Sequence, residues 1–182
     1  MNIFVAGIHG VGKSYLASRT AESVGLLHTS ASRLIKEERS LSTWSENKVV
    51  TDVDANQLAL TNAIKRKNNA GISLLLDGHF VLLGEDHLMI RLESRVFESF
   101  NLLGVILIQE DPLIVAQRIL ERDKREENPQ FLREFIDAEK RQAQVVCNDV
   151  NLPLIELMSA TAGDFAEAIK KIMTSENACI NR

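Results

Sequence analysis

The sequence predicts an α/β fold of three layers, with about five parallel strands covered on both faces by helices. Three observations carry this reading. Short apolar runs with little alternation recur along the chain, as buried parallel strands require. Segments with apolar residues at helical spacing separate them. A glycine-rich turn joins the first run to the first helical segment.

In chain order, Asn2–Ala6 reads as the first strand, and Leu16, Ala17, Thr20, Ala21 and Val24 share one face of the first helix, closed by Gly25. Leu26–Thr29 reads as a second strand. Thr29–Ser32 then supplies N-cap residues for a helix through Lys36. Residues 37–53, including Trp44, are polar and mixed and predict no element. Asp54–Asn69 is a helix broken by Gly71, and Ile72–Leu76 is a strand running into Asp77-Gly78-His79-Phe80. Residues 84–88 read as a loop and Met89–Phe100 as a helix. Gly104–Gln109 is a strand, and Asp111-Pro112 opens a helix to about Arg125 with an N-cap followed by proline. A second long helix spans about Phe131 to Asp149. Pro153–Leu157 is the last strand, and Phe165, Ile169 and Ile172 mark a final helix expected to fray after Met173. With no repeat or linker, residues 1–182 read as one domain.

The turn is Gly7-Ile8-His9-Gly10-Val11-Gly12-Lys13-Ser14, which fits G-x-x-x-x-G-K-[ST], the Walker A pattern, in its strand–turn–helix context. Its glycines let successive backbone N–H groups turn around an anion, and the helix start adds its free N–H groups and positive dipole end. Lys13 reaches the β- and γ-phosphates of a nucleotide, and Ser14 offers a hydroxyl to Mg²⁺. The fold is therefore expected to be the P-loop NTPase type, with ligands at the carboxyl ends of the strands, where Gly7, Asp77, Gln109 and Ser159 fall.

The composition is globular, 45% hydrophobic and 25% charged over 182 residues. A net charge of −4 argues against a general nucleic-acid surface. Cys147 and Cys179 have no metal-ligand spacing and read as free thiols. No stretch is long enough to span a membrane, and the chain starts directly in a strand, so a cytoplasmic protein without a signal peptide is expected.

Asp77 ends an apolar strand, where a P-loop protein places the carboxylate that holds Mg²⁺ or its bound water. His79, two residues on, suits orienting a water or an acceptor phosphate and equally suits a packed turn histidine. Arg118, Arg122 and Arg125 recur on one helix face, and Arg133, Lys140 and Arg141 lie on the returning helix. Guanidinium groups grip phosphate oxygens bidentately, so these helices could close over a triphosphate, although interleaved Glu121, Asp123, Glu126 and Glu127 also suit a solvated surface. His28, His87 and Cys147 show no partners in sequence and read as packing or surface residues.

The glycine turn, the Ser30-Ala31-Ser32-Arg33-Leu34-Ile35-Lys36 helix, Asp77-Gly78-His79-Phe80 and Arg118-x-x-x-Arg122 together resemble the nucleoside monophosphate kinase group, nearest to archaeal-type adenylate kinases and small AAA-labelled ATP-binding nucleotide kinases. The resemblance covers nearly the whole chain. It implies an ATP- and Mg²⁺-dependent phosphotransferase with an acceptor-binding insertion at about 30–69 and a lid at about 118–141. It assigns the nucleotide to Gly7, His9, Gly10, Val11, Gly12, Lys13, Ser14 and Tyr15, with Arg118, Ser159 and Ala160 near the adenine. It assigns catalysis to Lys13, Asp77, Arg118 and Arg122, Mg²⁺ to Ser14 and Asp77, and the acceptor to Ser32, Arg33, Lys36, His79 and Arg91. Bacterial adenylate kinases carry Asp-Gly-Phe-Pro-Arg where this chain has Asp77-Gly78-His79-Phe80-Val81, so Arg91 or Arg95 is left to supply the acceptor-gripping arginine.

The expected partners are ATP and a small acceptor, a nucleoside monophosphate foremost, with no membrane and no nucleic acid. The competing expectation is an ATPase switch or assembly factor working through a protein or RNA partner.

Overall fold

The computed structural model describes residues 1–41, 53–84 and 87–180. The segment with Trp44 that predicted no element falls largely outside them. The elements are β1 (Asn2–Ala6), α1 (Lys13–Thr20), β2 (Leu27–Ser30), α2 (Ala31–Leu41), α3 (Val53–Asn69), β3 (Leu74–Asp77), β4 (Val81–Leu83), β5 (Met89–Arg91), α4 (Ser94–Glu98), β6 (Leu102–Gln109), α5 (Pro112–Asp123), α6 (Pro129–Asp149), β7 (Leu154–Met158) and α7 (Ala162–Ile180).

Five strands form a parallel sheet in the order β2-β3-β1-β6-β7. β1 is buried at every position. Its residues alternate between two cores: Ile3 and Val5 pack with Leu16, Ala17, Phe165 and Ile169 of α1 and α7, while Phe4 and Ala6 pack with Leu60, Ile64, Phe97 and Val146 of α3, α4 and α6. Burial on both faces is why the strands read as continuous apolar runs.

Local chemistry sets the boundaries. Ser30 Oγ accepts from Arg33 N at 3.2 Å and caps α2. Gly71 (φ 77°) ends α3, its N–H returning to Asn68 O at 3.0 Å. Asp111 caps α5 by accepting from Leu113 N at 2.8 Å, with Pro112 next.

Two expectations are corrected. Met89–Phe100 is not one helix: Met89–Arg91 pairs antiparallel with Val81–Leu83 in a separate hairpin, and only Ser94–Glu98 is helical. The hairpin's apolar residues also fit helical spacing, so periodicity alone could not separate the two. The last helix does not stop near Met173 but runs to Ile180.

Candidate functional site

β1 ends at Ala6, beside Asp77 at the end of β3: Val5 and Asp77 are register partners, as are Ser30 and Asp77. The turn that follows β1 therefore opens at the carboxyl edge of the sheet. Gly7 (φ 138°) passes so close to β6 that a Cβ would lie 2.4 Å from Ile108 O. Gly12 (φ 104°) takes a left-handed conformation and precedes α1, whose N-terminus no side chain caps. Those N–H groups remain available to an anion.

Lys13 is 6% exposed. Its ammonium donates to Gly7 O at 2.6 Å and Ile8 O at 3.1 Å and stands 3.7 Å from Asp77 Oδ1. Burial holds its pKa below the ordinary lysine value, with Asp77 opposing. Ser14 Oγ donates to Asp77 Oδ2 at 2.6 Å. Burial alone would raise the Asp77 carboxyl, but His28, Lys13 and Ser14 outweigh it and hold it below its usual range. His28, read from sequence as a packing or surface residue, brings Nε2 to 3.9 Å from Asp77 Oδ2, too far for a hydrogen bond but close enough to act electrostatically.

The first glycine departs from expectation. Its N–H donates to Glu139 Oε1 at 3.1 Å and so is not free to face a phosphate. Glu139, on α6, is 1% exposed and also accepts from Phe80 N at 3.0 Å and Val81 N at 2.7 Å. One buried carboxyl thus joins the turn after β1 to the segment after β3. Burial raises its pKa, and the three N–H donors and Lys13 oppose the rise. Val11 also turns inward, its side chain in the core.

His79 is pushed down to about 3 by burial and by the Lys13 charge, against the pull of Asp77. The folded protein therefore keeps this imidazole neutral, whereas the unfolded chain protonates it near 6.5. A depressed histidine contributes stability that is complete above 6.5 and lost as pH falls toward about 3. At pH 5 the expected loss is about 2 kcal/mol, and His9, lowered mainly by burial, acts in the same direction. Urea midpoints at pH 7 and pH 5 should diverge less in His79→Gln than in the parent. Equal divergence assigns the acid sensitivity elsewhere.

Arg118 extends Nη1 to Val11 O at 3.2 Å and Nη2 to Glu110 Oε2 at 3.0 Å. Glu110 also accepts from Ser159 Oγ at 2.7 Å, so Arg118, the glycine turn and the loop after β7 are tied together. Arg122 forms a two-point pair with adjacent Asp123, at 2.7 Å on each arm. The stretch expected as a lid, about 118–141, is not uniformly exposed. From Leu132 onward α6 buries Leu132, Phe135, Ile136, Ala143 and Val146, and Arg133 and Arg141 point to solvent. Ile119 is buried too, whereas residues 120–126 are exposed throughout.

A cavity of about 590 Å³ unites much of this set. His9, Gly10, Gly12, Lys13, Ser14, Tyr15, Arg118 and Arg122 line one part; Ser32, Gln57, Leu60, Asp77, His79, Leu82 and four phenylalanines or leucines beyond them line the rest. Arg33, Lys36 and Arg91 are exposed and do not line it. Neither do Ser159 and Ala160. Gln57, Glu110 and Glu139 carry no motif in the sequence. Only Glu139 left a trace, a charge on the apolar stripe of α6.

The model of the AAA domain family matches residues 6–134. The chain belongs to the AAA domain family. This AAA domain chain is 27% identical over 127 residues to the adenylate kinase of Streptococcus mutans serotype c (strain ATCC 700610 / UA159), a match covering 65% of this chain and 59% of that protein. The match thus spans less than two thirds of the relative's length. Its fold is also that of a shikimate kinase from Acinetobacter baumannii solved with shikimate (TM-score 0.59, 19% identity, 96% of this chain and 93% of the other). A gluconokinase from Sinorhizobium meliloti 1021 is similar in the same way (TM-score 0.56, 15% identity, 99% and 96%). The relative and the two structural neighbours named here are kinases, in keeping with the kinase-like group that the motifs resemble. Among the described residues no helix is long and apolar enough to cross a membrane.

Proposed function

We propose that the protein is an ATP-dependent phosphotransferase acting on a small molecule. The observation that carries this is the continuity of the cavity: the groups that suit a triphosphate and the chamber walled by α2, α3 and the β3–α4 segment open into one space. A donor and an acceptor held there meet without crossing solvent, which is the positioning that phosphoryl transfer chiefly needs.

Ser14 Oγ and Asp77 Oδ2, 2.6 Å apart, form a hydroxyl–carboxylate pair of hard oxygens that suits Mg²⁺. Among the described residues no group of three or more His, Cys, Asp or Glu could hold a metal. That suits an ion that takes one or two protein oxygens and completes its shell with phosphates and water. When bound, it would neutralise charge on the phosphate oxygens. Lys13 would leave its two carbonyls for the phosphates, and the uncapped N-terminus of α1 would supply N–H donors. Arg118 would hold the glycine turn against α5.

Arg122 lines the cavity, is exposed and, among the described residues, is paired with its neighbour Asp123. Arg122→Ala should lower kcat by about a hundredfold, the order of losing one preorganised donor to the transferring phosphoryl, with a smaller change in ATP affinity. A parental kcat in the variant makes Arg122 a solvated surface residue.

The test of the function is ATP loss measured against a panel of nucleoside monophosphates, nucleosides and small hydroxylated or phosphorylated metabolites, with a water blank. Acceleration by one acceptor class, with the phosphorylated product recovered, supports the transferase. ATP loss at the blank rate throughout overturns it in favour of an ATPase switch working through a partner.

A further inference from the structure

We propose that the acceptor is a phosphate-free, uncharged alcohol with a flat apolar body, bound with its hydroxyl toward Asp77 and His79. This rests on the transferase reading above and narrows it.

Charge is the first ground. The cations lining the cavity are Lys13, Arg118 and Arg122, all on the glycine turn, α1 or α5. Among the described residues none comes from α2, α3 or the β3–α4 segment. Arg33 and Arg95 stand outside it, paired with Glu37 at 3.1 Å and Glu93 at 2.6 Å. Among the described residues the acidic side chain lining the cavity on the acceptor side is Asp77, 6% exposed, the carboxylate read above with Ser14 as suiting Mg²⁺. A phosphate monoester carries a charge of about −1.5 to −2. Burying that charge in a chamber whose described walls add no cation of their own is unfavourable.

The walls are the second ground. Phe4, Leu60, Leu92, Phe97 and Phe100 line this part of the cavity. Phe4 and Phe97 meet edge to face with centroids 5.4 Å apart, as do Phe97 and Phe100 at 5.5 Å. Such a chamber accepts a ring by burying its faces.

Unpartnered polar atoms are the third. Gln57 Oε1 and His79 Nδ1 are buried without a hydrogen-bond partner, and both residues line the cavity. An amide oxygen needs a donor. A further hydroxyl or N–H on the acceptor supplies one, in addition to the reacting O–H, whereas a phosphate group placed against the amide offers acceptors alone.

In the reaction the acceptor oxygen bonds to the γ-phosphorus of ATP as the bond from that phosphorus to the β–γ bridging oxygen breaks. ADP leaves with that electron pair. The hydroxyl proton passes to an oxygen of the transferred phosphoryl group late in transfer, once bonding to phosphorus has made it acidic.

The test uses matched pairs, each a nucleoside or aromatic alcohol and its own monophosphate ester. They are titrated calorimetrically into the full chain saturated with a non-hydrolysable ATP analogue, and turnover is followed by phosphorus NMR. Alcohols should bind about tenfold or more tighter than their esters and acquire one phosphoryl group. Gln57→Leu should weaken the bound alcohol about tenfold, well beyond any effect on the analogue, and Leu82→Arg, which puts a cation in the same wall, should shift preference toward the ester. Tighter binding and turnover of the esters by the parent protein overturns the acceptor class while leaving the transferase intact. ATP loss at the water rate with every compound overturns the transferase. Absence of binding by every alcohol, or an unchanged alcohol affinity in Gln57→Leu, also overturns the proposal.

Discussion

Lys13→Ala is expected to lower kcat by about a thousandfold or more and to weaken ATP binding. The ammonium is buried, and its approach to Gly7 O, Ile8 O and Asp77 places it where a triphosphate would need a fixed cation. A buried charge acts through a low effective dielectric, so its removal costs far more than that of a surface lysine. The same change leaves two carbonyls and the Asp77 carboxylate without their partner. A loss of about 1–3 kcal/mol in stability should accompany it, small enough for the fold to persist. Steady-state ATP turnover with an accepted acceptor, alongside a thermal melt, measures both. Parental turnover in a folded variant removes this cavity as the reaction site.

Glu139→Ala should be the most destabilising single change in the site. Three backbone N–H groups, from Gly7, Phe80 and Val81, lose the buried carboxyl that accepts from them. Leaving a buried network without its central partner costs about 3–5 kcal/mol. Glu139→Gln keeps the size but turns an NH₂ group toward donors and should cost about 1–3 kcal/mol. ATP affinity should fall in both variants, because the turn after β1 loses the contact that fixes its entry. Urea denaturation gives the first quantity and equilibrium ATP binding the second. Unchanged denaturation in Glu139→Ala makes the carboxyl dispensable.

Glu139 also marks where the sequence stopped being legible. The sheet, its parallel sense and most helix boundaries were readable because both-face burial, Ser30, Asp111-Pro112 and Gly71 leave local signatures. Lys13, Ser14 and Asp77 were readable because a motif fixes the first two and the end of a strand fixes the third; the structure brings all three together. The hairpin of Val81–Leu83 and Met89–Arg91 was not, since its residues satisfy two periodicities at once. Nor was Glu139, which acts at residues far from it in sequence, and whose only local sign is a charge among Phe135, Ile136, Ala143 and Val146. Gln57 is one polar residue among several on α3 and stands out only when the cavity beside it is seen. Which part of 118–141 faces solvent was not legible either, because arginine spacing reports which residues share a face, not which face meets the core.

The central position of β1 has a consequence for how the chain acquires its activity. Synthesis proceeds from the N-terminus, so the first strand emerges well before its partners: β3 begins at Leu74 and β6 at Leu102. The amide of Gly7 waits longer still, for an acceptor 132 residues further along. Contacts of such sequence separation close late, since the chain entropy of bringing their ends together must be overcome first. On the function proposed above, nucleotide binding therefore waits for α6, because until it is made the Gly7 amide lacks the Glu139 carboxylate.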